Sequence, residues 1–299
     1  MSPSKVLLRL PATSANLGPG FDCLGLALDL WSAATLEARE VEVESAAAAQ
    51  EPLPQMALAA ARAFYETSGI SAPRGLSFDW RNGFPLARGL GASAAVRAAA
   101  LLGANALAGN RLSIEDLLPI GAALEGHADN FTPALLGGLR VAVWEKGRVV
   151  HAPVPLPADL KVVLMVPDMA MPTDESRRLL AAEVPREDAV YNVGHASLLV
   201  AALAAGRLDL LATACDDRLH QPARSQLLPA MGSIIEAARS AGALCSYLSG
   251  GGSTIAAWTL QNESAVARAM LQAAQSADCP GETIITRPSA KGAQVLKTE

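Results

Sequence analysis

Residues 85–99 read PLARGLGASAAVRAA. Two glycines, Gly89 and Gly91, precede Ala92, Ser93, Ala94 and Ala95, and an alanine-rich helical pattern follows. Glycine permits a tight turn and a close backbone approach, and methyl-sized neighbours keep that approach open. A glycine turn that opens a helix also presents unpaired N–H groups at the positive end of the helix dipole. Such a turn binds phosphate without a lysine. Three motifs compete for the stretch. GLGASA matches the dinucleotide fingerprint G-x-G-x-x-A, but that motif needs a strand running into its first glycine. The nearest strand candidate, Leu76–Trp80, is cut off by Arg81, Asn82, Gly83 and Pro85. Walker A fails because no Gly-Lys-Ser/Thr follows. A nucleophile elbow lacks both the strand and the final glycine. A plain glycine turn before a core helix fits the stretch as well, so the rest of the chain decides.

The chain has 299 residues, 51% of them hydrophobic, enough for one large domain or two modest ones. A net charge of −5 gives no basic footprint for nucleic acid. Cys23, Cys215, Cys245 and Cys279 form no C-x-x-C pair and read as reduced thiols. His127, His151, His195 and His220 share no metal-ligand spacing, so zinc is not expected. Val6–Leu10 is too short for a signal peptide and carries Arg9. Ala196–Gly206 is far short of the roughly 20 apolar residues that span a bilayer. A cytoplasmic protein with no membrane or nucleic-acid partner is expected.

Val6–Leu10 reads as a short strand leading into PATSANLGPGFDCLGLAL, residues 11–28. Its Pro/Gly turns surround Ser14, Asn16 and Asp22, which predicts a turn-rich connection. Val41 and Val43 alternate with Glu40, Glu42 and Glu44, as in a half-exposed strand. Leu53–Thr67 has helical spacing. Ser113–Leu124 reads as a helix with Ser113 at its N-cap and Asp116 in its first turn. It runs into EGHADNFTPALLGGL, where Glu125, His127, Asp129 and Asn130 crowd too many polar groups together for a plain core segment. Leu139–Val150 predicts a hairpin turning at Lys146 and Gly147. Pro153, Pro155 and Pro157 form a stiff boundary, which divides the chain into residues 1–155 and 156–299. Lys161–Val166 is an apolar strand that delivers MAMPTDESRR, residues 169–178, with Thr173 placed to cap a helix. Arg186–Ala205 and Leu208–Leu219 are expected helices, followed by DRLHQPARSQLLP. Helix Ser233–Ala243, strand Cys245–Leu248, the glycine turn SGGGST (249–254) and strand Ile255–Leu260 come next. Helix Ala265–Ala277 and strand Thr283–Thr286 close a β-α-β-type arrangement.

The run P-A-T-S-A-N-L-G-P-G-F-D resembles the opening of the homoserine kinases, a branch of the GHMP small-molecule kinases. By that resemblance Asn16 and Asp22 contact the amino-acid substrate. The glycine turn corresponds to the superfamily's G-L-G-S-S-A, so the nucleotide falls on Pro85, Gly89, Leu90, Gly91, Ala92, Ser93 and Ala94. Ser93 matches the serine that helps hold Mg²⁺, and Ala92 departs from the pattern. Residues 125–138 resemble E-G-H-P-D-N-x-x-P-A-L-L-G-G, with Ala128 in place of proline. Glu125 then becomes the Mg²⁺ carboxylate and Asn130 the partner of the substrate hydroxyl. Asp129 aligns with the base of other branches, its role here left open. Thr173 and Arg177 fit the family's T-x-x-x-R, and Arg224 fits the arginine of D-x-L-H-x-P-x-R. His220 reads as a supporting or capping residue.

SGGGST is similar to the third motif, S-G-A-G-P-T, and places Ser249, Gly250, Gly251 and Gly252 in the wall of the site. Gly251 and Ser253 depart from that motif and should loosen the loop. Two arginines can grip a carboxylate bidentately, and Asp22 can face an ammonium. The resemblance implies an α+β, two-domain GHMP kinase fold. Its N-terminal domain would be like ribosomal protein S5 domain 2 and its C-terminal domain ferredoxin-like. It further implies ATP and Mg²⁺, L-homoserine as substrate and a homodimer. Another small alcohol as substrate, and a non-catalytic ATP- and amino-acid-binding regulator, remain alternatives.

Overall fold

The computed structural model describes residues 3–40 and 52–299. The strand expected at Val41 and Val43 lies outside the described residues. Two long strands, β1 (Lys5–Asn16) and β2 (Gly20–Arg39), pair as a hairpin with Val6 opposite Leu36 and Asn16 opposite Gly20. The stretch 11–28, expected as a turn-rich connection, is therefore mostly strand. Residues 11–16 are small and buried on both faces, so no alternation betrays them. The only turn lies between Asn16 and Gly20, where Asn16, Leu17 and Gly18 all have positive φ.

Helix α1 (Pro52–Ser68), strand β3 (Gly75–Arg81), α2 (Ala92–Leu107), α3 (Ile114–Glu125), α4 (Phe131–Leu136) and the hairpin β4 (Leu139–Glu145) and β5 (Arg148–Val154) follow. Helix α2 runs through the core, buried from Ala94 to Leu107 except for Arg97. Alanine suits it because the β1–β2 sheet packs close: a Cβ on Gly103 would already stand 3.0 Å from Leu36. Helix α3 starts with the expected cap. The Ser113 hydroxyl accepts from Asp116 N at 3.2 Å, and Asp116 accepts from Ser113 N at 2.9 Å.

The second half contains β6 (Lys161–Pro167), α5 (Thr173–Arg178), α6 (Arg186–Ala204), α7 (Leu211–Ala214), α8 (Gln221–Arg224), α9 (Met231–Ser240), β7 (Cys245–Leu248), β8 (Ile255–Thr259), α10 (Glu263–Ser276) and β9 (Gly281–Thr286). Its sheet has the order β7-β8-β6-β9, antiparallel throughout, with helices between β6 and β7 and between β8 and β9. That is the ferredoxin-like order. Two local expectations fail. The helix expected over Leu208–Leu219 stops at Ala214, because Asp217 accepts from the backbone N–H of Leu219, His220 and Gln221 and turns the chain. Thr173 is the first residue of α5 rather than its cap, and its side chain bonds no helix amide.

The last strand, β10 (Gln294–Thr298), returns to the first sheet and pairs with β1, giving the order β10-β1-β2-β4-β5 with β3 also on β2. Strand β10 thus lies past the expected division at 155/156 and joins the sheet of the first half. One apolar core runs through both layers, from Val6 and Leu101 to Leu164 and Trp258. Among the described residues no helix is long and apolar enough to cross a membrane.

Candidate active site

A cleft of about 530 Å³ opens between the two halves and is lined by the turn 86–93. Gly89 (φ 75°) and Gly91 (φ 67°) both need the left-handed region, and Gly91 caps α2. Neither has room for a side chain. A Cβ would lie 2.1 Å from the Ser249 carbonyl oxygen at Gly89, and 1.8 Å from Thr13 Oγ1 at Gly91. The first amides of α2 thus reach the cleft uncovered, in the arrangement that receives anions. Pro85 and Ala94 do not line the cleft, and the Ala94 methyl turns into the core. Arg88 fastens the turn to the second half: its Nε donates to Pro167 O at 2.8 Å, and it also donates to Asp168 O.

Beside the turn, the Ser93 hydroxyl donates to Glu125 Oε2 at 3.0 Å, while Arg97 holds Glu125 Oε1. The Glu125 side chain is only 4% exposed. Next along, His127 Nδ1 and Asp129 Oδ1 stand 2.5 Å apart, and the same oxygen accepts from Asn130 N at 2.8 Å. Burial alone would lower the pKa of His127. The hydrogen bond and charge of Asp129, with the charge of Glu125, outweigh it and raise the pKa. Thr13 Oγ1 donates to Asn130 Oδ1 at 2.8 Å, and the Asn130 amide nitrogen donates to Asp129 Oδ1 at 3.4 Å with one of its two hydrogens, keeping the other.

Adjoining this group is the charged pair Asp22 and Arg177, joined bidentately at 2.5 and 3.0 Å, with an Asp22 oxygen within 4.8 Å of both His127 and Asp129. The two groups expected to face separate ends of a ligand thus face each other. Asn16 braces this corner: it accepts from Asp22 N and donates to Gly250 O, both at 3.0 Å. Arg224 is buried, bonded to His220 Nδ1 at 2.8 Å and Gly250 O at 3.1 Å, and its Nε has no partner among the described residues. Desolvation, with the neighbouring Arg177 charge, lowers its pKa to about 10. Desolvation also holds His220 down to about 4, so its ring is neutral at pH 7. Nε2 then donates to Gly18 O at 2.8 Å and Nδ1 accepts from Arg224. The expected supporting role of His220 takes this form. Arg177 and Arg224 both stack against the Phe21 ring, at 5.4 and 5.5 Å.

The SGGGST loop is hydrogen-bonded to its surroundings on several sides. Ser249 donates to Gly89 O at 2.7 Å, Ser176 to Gly251 O at 2.8 Å, and Gly250 N to Ala15 O at 3.0 Å. Ser253, standing in for proline, adds a bond to Met169 O at 2.5 Å. Gly250, Gly251 and Thr173 line the cleft, whereas Ser249 and Gly252 support it from behind.

The family model for the GHMP kinases N terminal domain matches residues 55–138, and that for GHMP kinases C terminal matches residues 199–276. The chain is 39% identical over 294 residues to the homoserine kinase of Carboxydothermus hydrogenoformans, covering 96% of each chain. It belongs to the homoserine kinases. A second homoserine kinase, from Moorella thermoacetica, is 40% identical over 272 residues, 89% of this chain and 92% of that one. The crystal structure of homoserine kinase from Cytophaga hutchinsonii superposes with a TM-score of 0.86 at 27% identity over 98% of both chains. L. major mevalonate kinase shares the fold, with a TM-score of 0.68 at 18% identity over 95% of both chains. ATP use follows from this membership. Reading the sequence missed Arg97 in the wall of the homoserine kinase cleft, and Thr13 and Phe21, which back Asn130 and the two arginines. Thr13 and Phe21 lie inside the quoted opening motif but carry no charge to single them out. Arg97 reads as an ordinary helix arginine until Glu125 is brought beside it.

Proposed function

We propose that this chain transfers the γ-phosphoryl group of ATP to the side-chain hydroxyl of L-homoserine, giving ADP and O-phospho-L-homoserine. One observation carries the reading: a single cleft joins a helix-opening glycine turn to a paired aspartate and two arginines. A zwitterion entering between Asp22 and Arg177 replaces one ion pair by two, its ammonium on Asp22 and its carboxylate on Arg177. Arg224, which lines the same cleft, is a second guanidinium for that carboxylate. Asn130, its oxygen held by Thr13, donates through its amide nitrogen to the alcohol oxygen and aims it. Asp129, clamped by His127 and Asn130 N, keeps that segment in place. Amides at the start of α2 receive the phosphates, where alignment and charge neutralisation make up most of phosphoryl-transfer catalysis.

Magnesium fits the donors present. Ser93 Oγ and Glu125 Oε2 are hard oxygens 3.0 Å apart, and neighbouring ligands of an octahedral Mg²⁺ with bonds near 2.1 Å stand roughly 3 Å apart. When bound, the ion neutralises charge on the transferred phosphate. ADP release measured with ATP, Mg²⁺ and a panel of small alcohols tests the reading. Homoserine-dependent turnover is expected; turnover of another alcohol with indifference to homoserine overturns it. Tight binding of ATP and homoserine without ADP release would instead leave a regulator.

A further inference from the structure

Four arginines line the cleft among the described residues: Arg88, Arg97, Arg177 and Arg224. Three of them are engaged away from the glycine turn. Arg88 is turned onto the carbonyls of Pro167 and Asp168, Arg177 onto Asp22, and Arg224 onto Gly250 O and His220. Arg97 makes one bond, to Glu125 Oε1, and its Nε and second terminal nitrogen bond nothing among the described residues. It stands four residues after Ser93 on α2 and so shares a helix face with it. Its side chain is 19% exposed. Ser93 holds the other oxygen of the same carboxylate, which fixes the guanidinium within one carboxylate's width of the Ser93 hydroxyl. The glycine turn itself has a methyl at Ala92, where a hydroxyl would have offered another donor.

We propose that Arg97 is part of the nucleotide site: its free donors take a phosphate oxygen while Glu125 holds the near side of the guanidinium. The assignment rests on the phosphoryl-transfer reading above. Arginine suits it because one planar fork can bridge a carboxylate and a phosphate at once, and its charge is permanent. Glu125 pre-orients the fork, so little side-chain freedom is lost on binding. Arg97 thereby supplies, from one turn inside the helix, a donor that Ala92 does not.

Calorimetric titration of ADP into the full-length protein, with EDTA present so that no metal contributes, tests this directly. Arg97→Met is expected to weaken metal-free ADP binding about tenfold, the scale of one charge-assisted hydrogen bond. Arg97→Lys keeps the charge and the fold and is expected to lose about threefold. The double variant Arg97→Met/Glu125→Gln separates contact from simple neutralisation. If Arg97 only offsets the Glu125 charge, the double variant binds ADP like the wild type, and the assignment fails. It also fails if Arg97→Met and Arg97→Lys both bind ADP as the wild type does. A wild type that binds no ADP without metal also overturns the assignment, whereas only the absence of homoserine-dependent ADP release with Mg²⁺ present overturns the kinase reading. Homoserine-dependent ADP release by the wild type, alongside unchanged binding in the variants, would sink the Arg97 assignment alone.

Discussion

Arg177 and Asp22 are each about one-third exposed, and their pairing adds little to folding, on the order of 1 kcal/mol or less. Its value lies in holding a guanidinium and a carboxylate at the spacing a zwitterion needs. Arg177→Ala should therefore leave the melting temperature nearly unchanged. It should raise KM for homoserine roughly 10- to 100-fold, the cost of one strong charge-assisted contact, and KM for ATP less than about threefold. Steady-state kinetics with each substrate varied checks this, and equal effects on both would remove Arg177 from the substrate end.

His220 behaves differently, because its role is structural and depends on its being neutral. Its folded pKa of about 4 lies below the ordinary 6.5, so between these values the unfolded chain binds the extra proton. Stability from this group is whole above pH 6.5 and is lost as the pH falls toward 4. Asp217, 3.7 Å away, opposes the shift without reversing it. His127 has a raised pKa, so its contribution has the opposite sign: present below pH 6.5 and lost as the pH rises through its folded value. His220→Gln can keep the donor to Gly18 O but has no titrating ring. It should lower the melting temperature at pH 8 and flatten its fall between pH 6.5 and 4, as thermal scans across that range would show.

Among the turns, two glycines of similar appearance in the sequence carry opposite requirements. Gly91 has φ 67° and faces Thr13 Oγ1 at 1.8 Å from a would-be Cβ. Gly251 is outside the left-handed region, and its would-be Cβ meets Ser176 Oγ at an ordinary 3.4 Å. Gly91→Ala should cost about 2–4 kcal/mol through backbone strain and displacement of Thr13, and should weaken nucleotide binding with it. Gly251→Ala should be neutral or stabilise by about 0.4–1 kcal/mol, since alanine restricts the unfolded chain without meeting a clash. Denaturant unfolding of the two variants distinguishes these outcomes.

The same contrast explains what the sequence could reveal. The steric demand at Gly89 and Gly91 is written as glycine and the cap at Ser113 as S-x-x-D, so both elements were legible. The β1–β2 hairpin was not, because Ala12 to Ala15 are small and buried on both faces and leave no period to read. The charged groups of the cleft were recognisable by motif, but their partners were not. Asp22 with Arg177, and Arg97 with Glu125, are brought together only by folding.

At the scale of the whole molecule, both ends of the chain meet in one sheet. Strand β10 pairs Thr298 with Val6 and Gln294 with Arg9, and the terminal residue continues the contact: Ser4 N donates to Glu299 O at 2.7 Å and Glu299 N to Lys5 O at 2.9 Å. Arg287 adds an ion pair with Asp29 at 2.9 Å. The opposite edge of β1 is already taken by β2, so β10 satisfies the outward amides and covers what would be an exposed strand edge. Strand β1 also carries Asn16 into the cleft, and Thr13 and Ser14 behind it against Asn130 and Ser249. Removing residues 287–299 should thus act on the site through the sheet, although none of them lines the cleft. The truncated chain should melt at a lower temperature, and amides of Val6 to Arg9 should exchange hydrogen much faster than those of β6 and β8. Exchange should stay slow in the ferredoxin-like half, whose sheet does not include β10. Uniformly accelerated exchange in both sheets would mean instead that the shared core, rather than the returning strand, sets the stability of the first half.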